Sequence, residues 1–372
     1  MAVARFVSPR ADTLGIAPER VNNTRMSVGA GATPSRSIRS SPPADDSSGL
    51  TDGPTTAHGK PRATTLGVVT TLLDPLILVQ RDRIDPRGLA RDVERGVRVR
   101  VKRGAHYDAA AWQALSDVAR HRIRVEAFAA SHPGVVFSHH SAAVLHGIPF
   151  IGGVPNVMHV IADRANGGRS EPGLARHGLG ISPAELTEVG GLRVETPVRV
   201  VVSLAAMLPF RFAVAPADHV LRMAPIEALR AGLEVADLGH GFAKARRVIE
   251  FADALAANWG ESLSRAVIHE LGFPAPMLQV EHLTPRGHRY FTDFEWPGWR
   301  LAGEFDGQGK YLKPEYLGRM TPGQAGVKEK RREDELRAGG LNFARWGWTD
   351  ALSRHQLRDI LLTAGLPRPA SA

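Results

Sequence analysis

From Arg289 onward the chain alternates: Arg289-Tyr290-Phe291-Thr292-Asp293-Phe294-Glu295-Trp296, a break at Pro297-Gly298, then Arg300-Leu301-Ala302-Gly303-Glu304-Phe305-Asp306. A period of two interrupted by Pro-Gly predicts two strands returning on each other as a hairpin. Side chains of a strand alternate faces, so Phe291, Asp293 and Glu295 fall together, as do Ala302, Glu304 and Asp306. Upstream, residues 258–261 open a helix whose apolar stripe is Leu263, Val267, Ile268 and Leu271, ended by Gly272 and Pro274. Residues 277–280 form a strand and 284–288 the turn into the hairpin. Downstream, the Gly- and Pro-rich residues 313–327 predict a mobile loop, 328–337 a charged helix, and 341–346 a last strand.

The first part of the chain has a different texture. Residues 1–63 are rich in Ser, Thr, Pro, Gly and Arg and cannot bury enough apolar surface to offset ordering entropy, so they predict a disordered tail. The tail is a passive segment, a DNA-contacting arm, or in part a stretch upstream of the true start codon. Helical patches at 68–80 and 86–94, a strictly alternating strand at 97–101 and the turn Lys102-Arg103-Gly104 form the pattern of a winged helix-turn-helix over residues 64–108. Asp85 suits the cap of the second helix and Pro86 its first turn. Arg87, Arg91 and Arg95 share one helical side, and Arg98, Arg100, Lys102 and Arg103 would offer a wing to phosphates. Solvated faces of a small scaffold are the competing account, because Asp82, Asp85, Asp92 and Glu94 dilute the positive field.

In the middle, Ser138 suits the cap of a helix from about Ser141 and Gly147 its end; Thr196-Pro197 starts another with Val200, Val201 and Leu204 buried. Residues 227–253 have helical spacing and lead to the last domain. Histidines gather at His139, His140, His146, His159 and His177; His139 and His140 point to different sides and no second pair has zinc-helix spacing, so packing is the expected role and a metal site the lesser alternative. Ser138 lacks a nucleophile elbow.

Composition sharpens this picture. The chain of 372 residues has a formal net charge of +9, which favours a polyanionic partner. It has no cysteine, which excludes disulfides and thiolate zinc sites and fits a reducing cytoplasm. No apolar run is long enough to span a bilayer, and the N-terminus lacks a signal-peptide core.

Asp293 and Glu304 are the candidate chemistry. Carboxylates facing each other across a hairpin among aromatic and small neighbours repel and lose solvation, a cost that a hard divalent ion, Mg2+ or Mn2+, would relieve. Such an ion supports phosphodiester hydrolysis. Asp293, then Glu304-Phe305-Asp306-Gly307, then a basic helix ending in Arg332-Glu333-Asp334, then Arg345, resembles the PD-(D/E)XK nuclease superfamily, in particular the branch of the very short patch repair endonucleases. The resemblance implies a restriction-endonuclease-like α/β domain with a mixed sheet over residues 246–372, with Asp293 and Glu304 as metal ligands and Glu261 and Asp306 assisting. It departs at the position two after the Glu, where the superfamily has a lysine and this chain has Asp306; Lys310 or Lys330 would supply the cation from elsewhere. On the charged helix, Arg331 and Arg332 suit DNA phosphates and Lys330 an attacking water or leaving group, with Arg345 on the DNA backbone; a solvated charged helix is the competing account. A surface ion pair between Glu261 and Arg265 is the alternative to a metal role for Glu261.

Phe137-Ser138-His139-His140-Ser141-Ala142-Ala143, His146-Gly147-Ile148-Pro149 and Gly191-Leu192-Arg193-Val194-Glu195-Thr196-Pro197 resemble the AbiEi-type antitoxin proteins, implying a mixed α/β middle domain over residues 109–245 after the winged helix. The expected whole is an α+β multidomain chain that acts on double-stranded DNA with a Mg-dependent endonuclease-like domain. The alternatives are a non-catalytic transcriptional regulator or an antitoxin-like factor with a toxin partner, and, more remotely, an RNA-directed nuclease. A homodimer would suit the cutting of both strands.

Overall fold

The computed structural model describes residues 76–78, 82, 85–162, 170–307 and 321–367. The expected tail at 1–63, most of the helix expected at 68–80, and Lys310 lie outside them. Within these residues the chain is α+β, with three sheets. No helix among them is long and apolar enough to cross a membrane.

The first sheet is antiparallel and joins β1 (Leu76–Leu78), β2 (Arg98–Lys102) and β3 (Ala105–Asp108) in the order β1-β3-β2. Residues 76–78 are a strand where helix is expected: the short apolar run Leu-Ile-Leu pairs with β3. Helix α1 (Pro86–Glu94) starts as expected, with the Asp85 carboxylate accepting from the N–H groups of Arg87 and Gly88, both at 3.1 Å. Gly104, at φ +79°, makes the turn between β2 and β3. After α2 (Ala109–Ala114) comes α3 (Asp117–Ala129), which serves two cores. Ile123 and Ala127 pack with Leu76 and Tyr107, while Val125 and Phe128 enter the next core.

That next core lies under a mixed sheet of order β6-β5-β4-β8-β7, built from β4 (Val136–Phe137), β5 (Met158–Ile161), β6 (Leu174–His177), β7 (Leu186–Val189) and β8 (Leu192–Glu195). Between β4 and β5 runs α4 (His139–His146). Ser138 stands at its N-cap, but its hydroxyl makes no capping bond; the His139 N–H goes instead to the buried Glu195 carboxylate at 2.9 Å. A carboxylate from a distant strand thus replaces the local cap. Then come α5 (Pro197–Met207), α6 (Phe210–Leu221), α7 (Ile226–Val235) and α8 (Phe242–Phe251). In α5, Thr196 caps and Val200, Val201 and Leu204 are buried, as expected. The helical stretch at 227–253 is two helices because Gly239 and Gly241 take left-handed conformations between them.

Helix α9 (Trp259–Glu270) packs on α6. Arg265 does not pair with Glu261; its Nη2 reaches both Asp218 oxygens, at 2.7 and 2.9 Å, in a buried contact. The last sheet has the order β12-β11-β10-β9 and is made of β9 (Met277–Leu283), β10 (Arg289–Trp296), β11 (Leu301–Phe305) and β12 (Asn342–Trp346). It is antiparallel except for the parallel β11/β12 pair. Arg300, at φ +47°, turns the expected hairpin. Helix α10 (Pro322–Ala338) joins β11 to β12, and α11 (Trp348–Leu352) and α12 (Arg354–Thr363) follow. The expected loop at 313–327 is already helical from Pro322, where a Thr321–Gln324 capping box starts α10. Leu263, Val267, Phe294, Trp296, Trp346 and Leu357 form one core, which Ile151 and Ala215 of the middle region also enter. Gly303 lets Trp346 lie against the strand, since a Cβ there would overlap the indole. The alternation that buries Phe294 and Phe305 turns Asp293 and Glu304 to the opposite side, toward α10.

Candidate active site

The β10/β11 register pairs Phe294 with Gly303, and one step further along it sets Asp293 across from Glu304. Both line a cleft of about 320 Å³ together with Asp306, Arg332 and Arg345; Arg289, Tyr290, Phe291, Phe305 and Glu329 complete its wall. Asp293 is anchored by the Phe305 N–H, which donates to its Oδ2 at 2.9 Å. Glu304 is only 9% exposed. Its Oε2 lies 2.7 Å from Arg332 Nη2, while the buried Oε1 has no hydrogen-bond partner among the described residues.

These contacts set the electrostatics. Burial, and next the neighbouring Asp293, push the Glu304 carboxyl up to about 7 against the pull of Arg332. Burial works against the charge of Arg332, but Glu304 and then Glu329 outweigh it and hold the guanidinium charged. Arg332 also donates to the Phe291 carbonyl at 2.8 Å and lies 3.0 Å from Glu329 Oε1. Arg345 stands 3.0 Å from the same Glu329 oxygen and 2.8 Å from Glu333. Glu304 thus titrates near neutrality beside an arginine that does not.

The donor set fits a hard divalent cation. Two acidic side chains converge, one has a buried oxygen without a hydrogen-bond partner among the described residues, and that oxygen is the atom a cation would satisfy.

The expected residues divide. Asp293, Glu304, Asp306, Arg332 and Arg345 come together, Asp306 exposed at the rim with its N–H donating to the Trp346 carbonyl at 2.8 Å. Arg332 meets carboxylates and a carbonyl rather than presenting itself outward. Glu261 is off the cleft: its carboxylate accepts from the Ala257 N–H at 2.8 Å, from Gln279 Nε2 at 3.0 Å and from Asn258 Nδ2, tying the start of α9 to β9. Lys330 is exposed on α10 and does not line the cleft. Arg331 borders a different cavity, with Arg286 and Asp334. In the first region, Arg87, Arg91, Arg100 and Arg103 are exposed, and Arg98 lies 3.9 Å from Asp92. Lys102 is not offered outward: its Nζ donates to Ser131 Oγ at 2.6 Å and sits 4.5 Å from the centre of the Phe128 ring, and burial lowers its pKa.

Glu329, which braces both arginines, and Arg289 at the wall are site residues that sequence reasoning misses. The three-residue spacing of Glu329 and Arg332 on a helix is the one local signal for the first of them.

No family model matches the chain. Two uncharacterized proteins of Mycobacterium tuberculosis, MT2308 (strain CDC 1551 / Oshkosh) and Rv2248 (strain ATCC 25618 / H37Rv), are each 32% identical to it over 127 residues. The match covers 33% of this chain and 46% of each relative, so the chain spans about half the length of the curated relatives it matches. The crystal structure of the RV2827C protein from Mycobacterium tuberculosis aligns with 48% of this chain and 76% of its own length, at 17% identity and a TM-score of 0.29, a likeness too slight to bear on fold or function.

Proposed function

We propose that the last domain is a restriction-endonuclease-like hydrolase that holds Mg2+ or Mn2+ between Asp293 and Glu304 and cleaves phosphodiester bonds in DNA. The observation that carries this reading is the buried Glu304 Oε1, without a hydrogen-bond partner among the described residues, in a cleft shared with Asp293. A cation held there would supply Lewis-acid activation of the phosphodiester. The chain's own residues do the rest. The Phe305 N–H keeps Asp293 turned into the cleft. Arg345, braced by Glu329 and Glu333, lines the cleft on the side where phosphate oxygens would enter, while Arg332 is held by Glu304, Glu329 and the Phe291 carbonyl. Glu304, whose carboxyl is raised by burial and by Asp293 while no cation is present, would be held ionised by a bound cation and so act as its ligand.

The antiparallel β1-β3-β2 sheet with α1 supports a winged-helix reading of the first region, with Arg87, Arg91, Arg98, Arg100 and Arg103 directed at the DNA backbone. The mixed middle sheet is compatible with an AbiEi-like domain.

Two observations favour a second reading, a non-catalytic DNA-binding regulator or antitoxin-like factor. Arg332 already neutralises one Glu304 oxygen at 2.7 Å, and Asp306 stands where the superfamily has its lysine. Supercoiled plasmid incubated with the full chain and Mg2+ or Mn2+ separates the two. Nicking by the parent that Asp293→Ala and Glu304→Ala both abolish supports hydrolysis. A parent that retards duplex DNA in a gel and never nicks it establishes the regulator instead.

A further inference from the structure

The middle sheet brings together three imidazoles that are far apart in sequence. His139 opens α4, His159 lies in β5 and His177 ends β6. β5 and β6 run parallel with His159 level with Ala175, so His177, two residues on, falls on the same face as His159. One ring nitrogen from each histidine lies within 4.8 Å of the others.

Zinc binds imidazole nitrogen at about 2.0–2.1 Å, so two such ligands at a tetrahedral angle stand roughly 3.3 Å apart. His159 Nδ1 and His177 Nε2 are 2.9 Å apart, a few tenths of an ångström short of that span. The ring centroids of His159 lie 5.2 Å from His177 and 5.5 Å from His139; His139 and His177 are stacked at 3.8 Å and must swing apart about their side-chain torsions. The parallel pairing of β5 and β6 already holds two of the rings in register.

The third ring is held by a buried network. The His139 N–H donates to Glu195 Oε2 at 2.9 Å, and Glu195 Oε1 accepts from Ser203 Oγ at 2.9 Å and faces Arg199 at 3.8 Å. His139 takes φ +49°, a left-handed conformation uncommon among non-glycine residues. Its Nδ1 lies 3.1 Å from Ser138 Oγ, the sort of outer contact that fixes the tautomer of a ligating imidazole. A further imidazole, His140, stands 5.3 Å from His159, and its buried Nδ1 has no hydrogen-bond partner among the described residues.

We propose that His139, His159 and His177 form a binding site for a divalent transition-metal ion of the zinc class, with a fourth position open to water beside the half-buried His177. An all-imidazole donor set selects Zn2+, Ni2+ or Cu2+ over Mg2+, so this site is chemically distinct from the carboxylate cleft. His159 Nδ1 and His177 Nε2 share a hydrogen bond, so one of the two rings must shift its proton to its other nitrogen for both to ligate.

The test uses the full, untagged chain stripped with a chelator and titrated with Co2+. Saturation at one equivalent with the visible absorption of a four-coordinate site, displaced by Zn2+ and unaffected by excess Mg2+, is expected. His177→Gln, at the most exposed of the three positions, should lose that absorption while keeping the far-ultraviolet circular dichroism of the parent. The proposal is overturned by absence of saturable uptake in the parent, or by uptake undiminished in His177→Gln and in His139→Gln. Zinc-edge X-ray absorption on the parent needs no variant: scattering from about three imidazoles supports the site, and a shell of oxygens alone refutes it.

Discussion

Replacing Glu304 by Gln keeps the side chain's shape and deletes its charge, and the structure fixes the size of the effect. In the folded chain burial and Asp293 push the carboxyl to about 7, whereas an ordinary glutamate stands at 4.5. A carboxyl raised on folding binds its proton more tightly in the folded state. Its stabilisation is therefore fully present below pH 4.5 and lost as pH rises through about 7. At about 1.4 kcal/mol per pH unit, that interval corresponds to about 3 kcal/mol. Solvent screening takes little from this, since Glu304 is 9% exposed. Arg332 stays charged throughout, so the titration belongs to the glutamate. The Gln carbonyl can still accept from Arg332, and the variant loses no volume.

Urea unfolding of both proteins in chelator, followed from about pH 4 to about pH 8, measures this. Relative to wild type, the Gln variant should gain about 3 kcal/mol across that range, with most of the change between the two carboxyl values. Mg2+ added at the alkaline end should then stabilise wild type, by about 2.7 kcal/mol at roughly a hundredfold excess over its dissociation constant, and leave the Gln variant nearly unmoved. A stability difference that is flat with pH would refute the burial argument. Equal stabilisation of both proteins by Mg2+ would remove Glu304 from the cation site.

Three further substitutions probe the scaffold that holds the cleft. Asp218→Asn leaves the buried Arg265 without its carboxylate, and breaking a buried pair costs about 3–5 kcal/mol, measured as a fall in the denaturation midpoint. Ser264→Ala removes the acceptor 2.8 Å from the buried Trp346 indole N–H and should cost about 1–3 kcal/mol by the same measurement. Gly303→Ala puts a methyl group into the Trp346 ring beside Glu304; it should destabilise by about 1–3 kcal/mol and shift tryptophan fluorescence, and a neutral result would contradict the packing.

The elements that sequence reasoning places well are those whose cause is local. Alternation around a Pro-Gly break suffices for the β10/β11 hairpin, and with it for the convergence of Asp293 and Glu304, because strand pairing leaves one register that buries Phe294 and Trp296. The caps Asp85 and Thr196 act on N–H groups two or three residues away, so their residue types suggest them, whereas Ser138 has the residue type and makes no capping bond because Glu195 takes the His139 N–H. Leu76-Ile77-Leu78 fails by the same rule: three apolar residues have no period, and pairing with β3, settled far along the chain, makes them a strand.

What escapes the sequence is who satisfies whom across the fold. Nothing local distinguishes Arg332 as the partner of Glu304 from Lys330 or Arg331 on the same helix; the choice follows from the rotation of α10 over the sheet, which brings positions 329 and 332 inward and leaves 330 exposed. Glu261 and Arg265, one turn apart, suggest each other, yet Arg265 is taken by Asp218 on α6 and Glu261 by Gln279 on β9. The reason is energetic. A buried ion needs more partners than its own helix can offer, so once α9 is covered on several sides its charges are claimed by the elements that cover it. The histidines follow the same logic: no helical spacing links 139, 159 and 177, and only the parallel pairing of β5 with β6 and the docking of α4 beside them make neighbours of the three. In a chain whose charges are drawn inward by tertiary packing, sequence motifs locate the paired carboxylates, while the identity of the cationic side chains beside them is decided by which helix face the fold turns toward them.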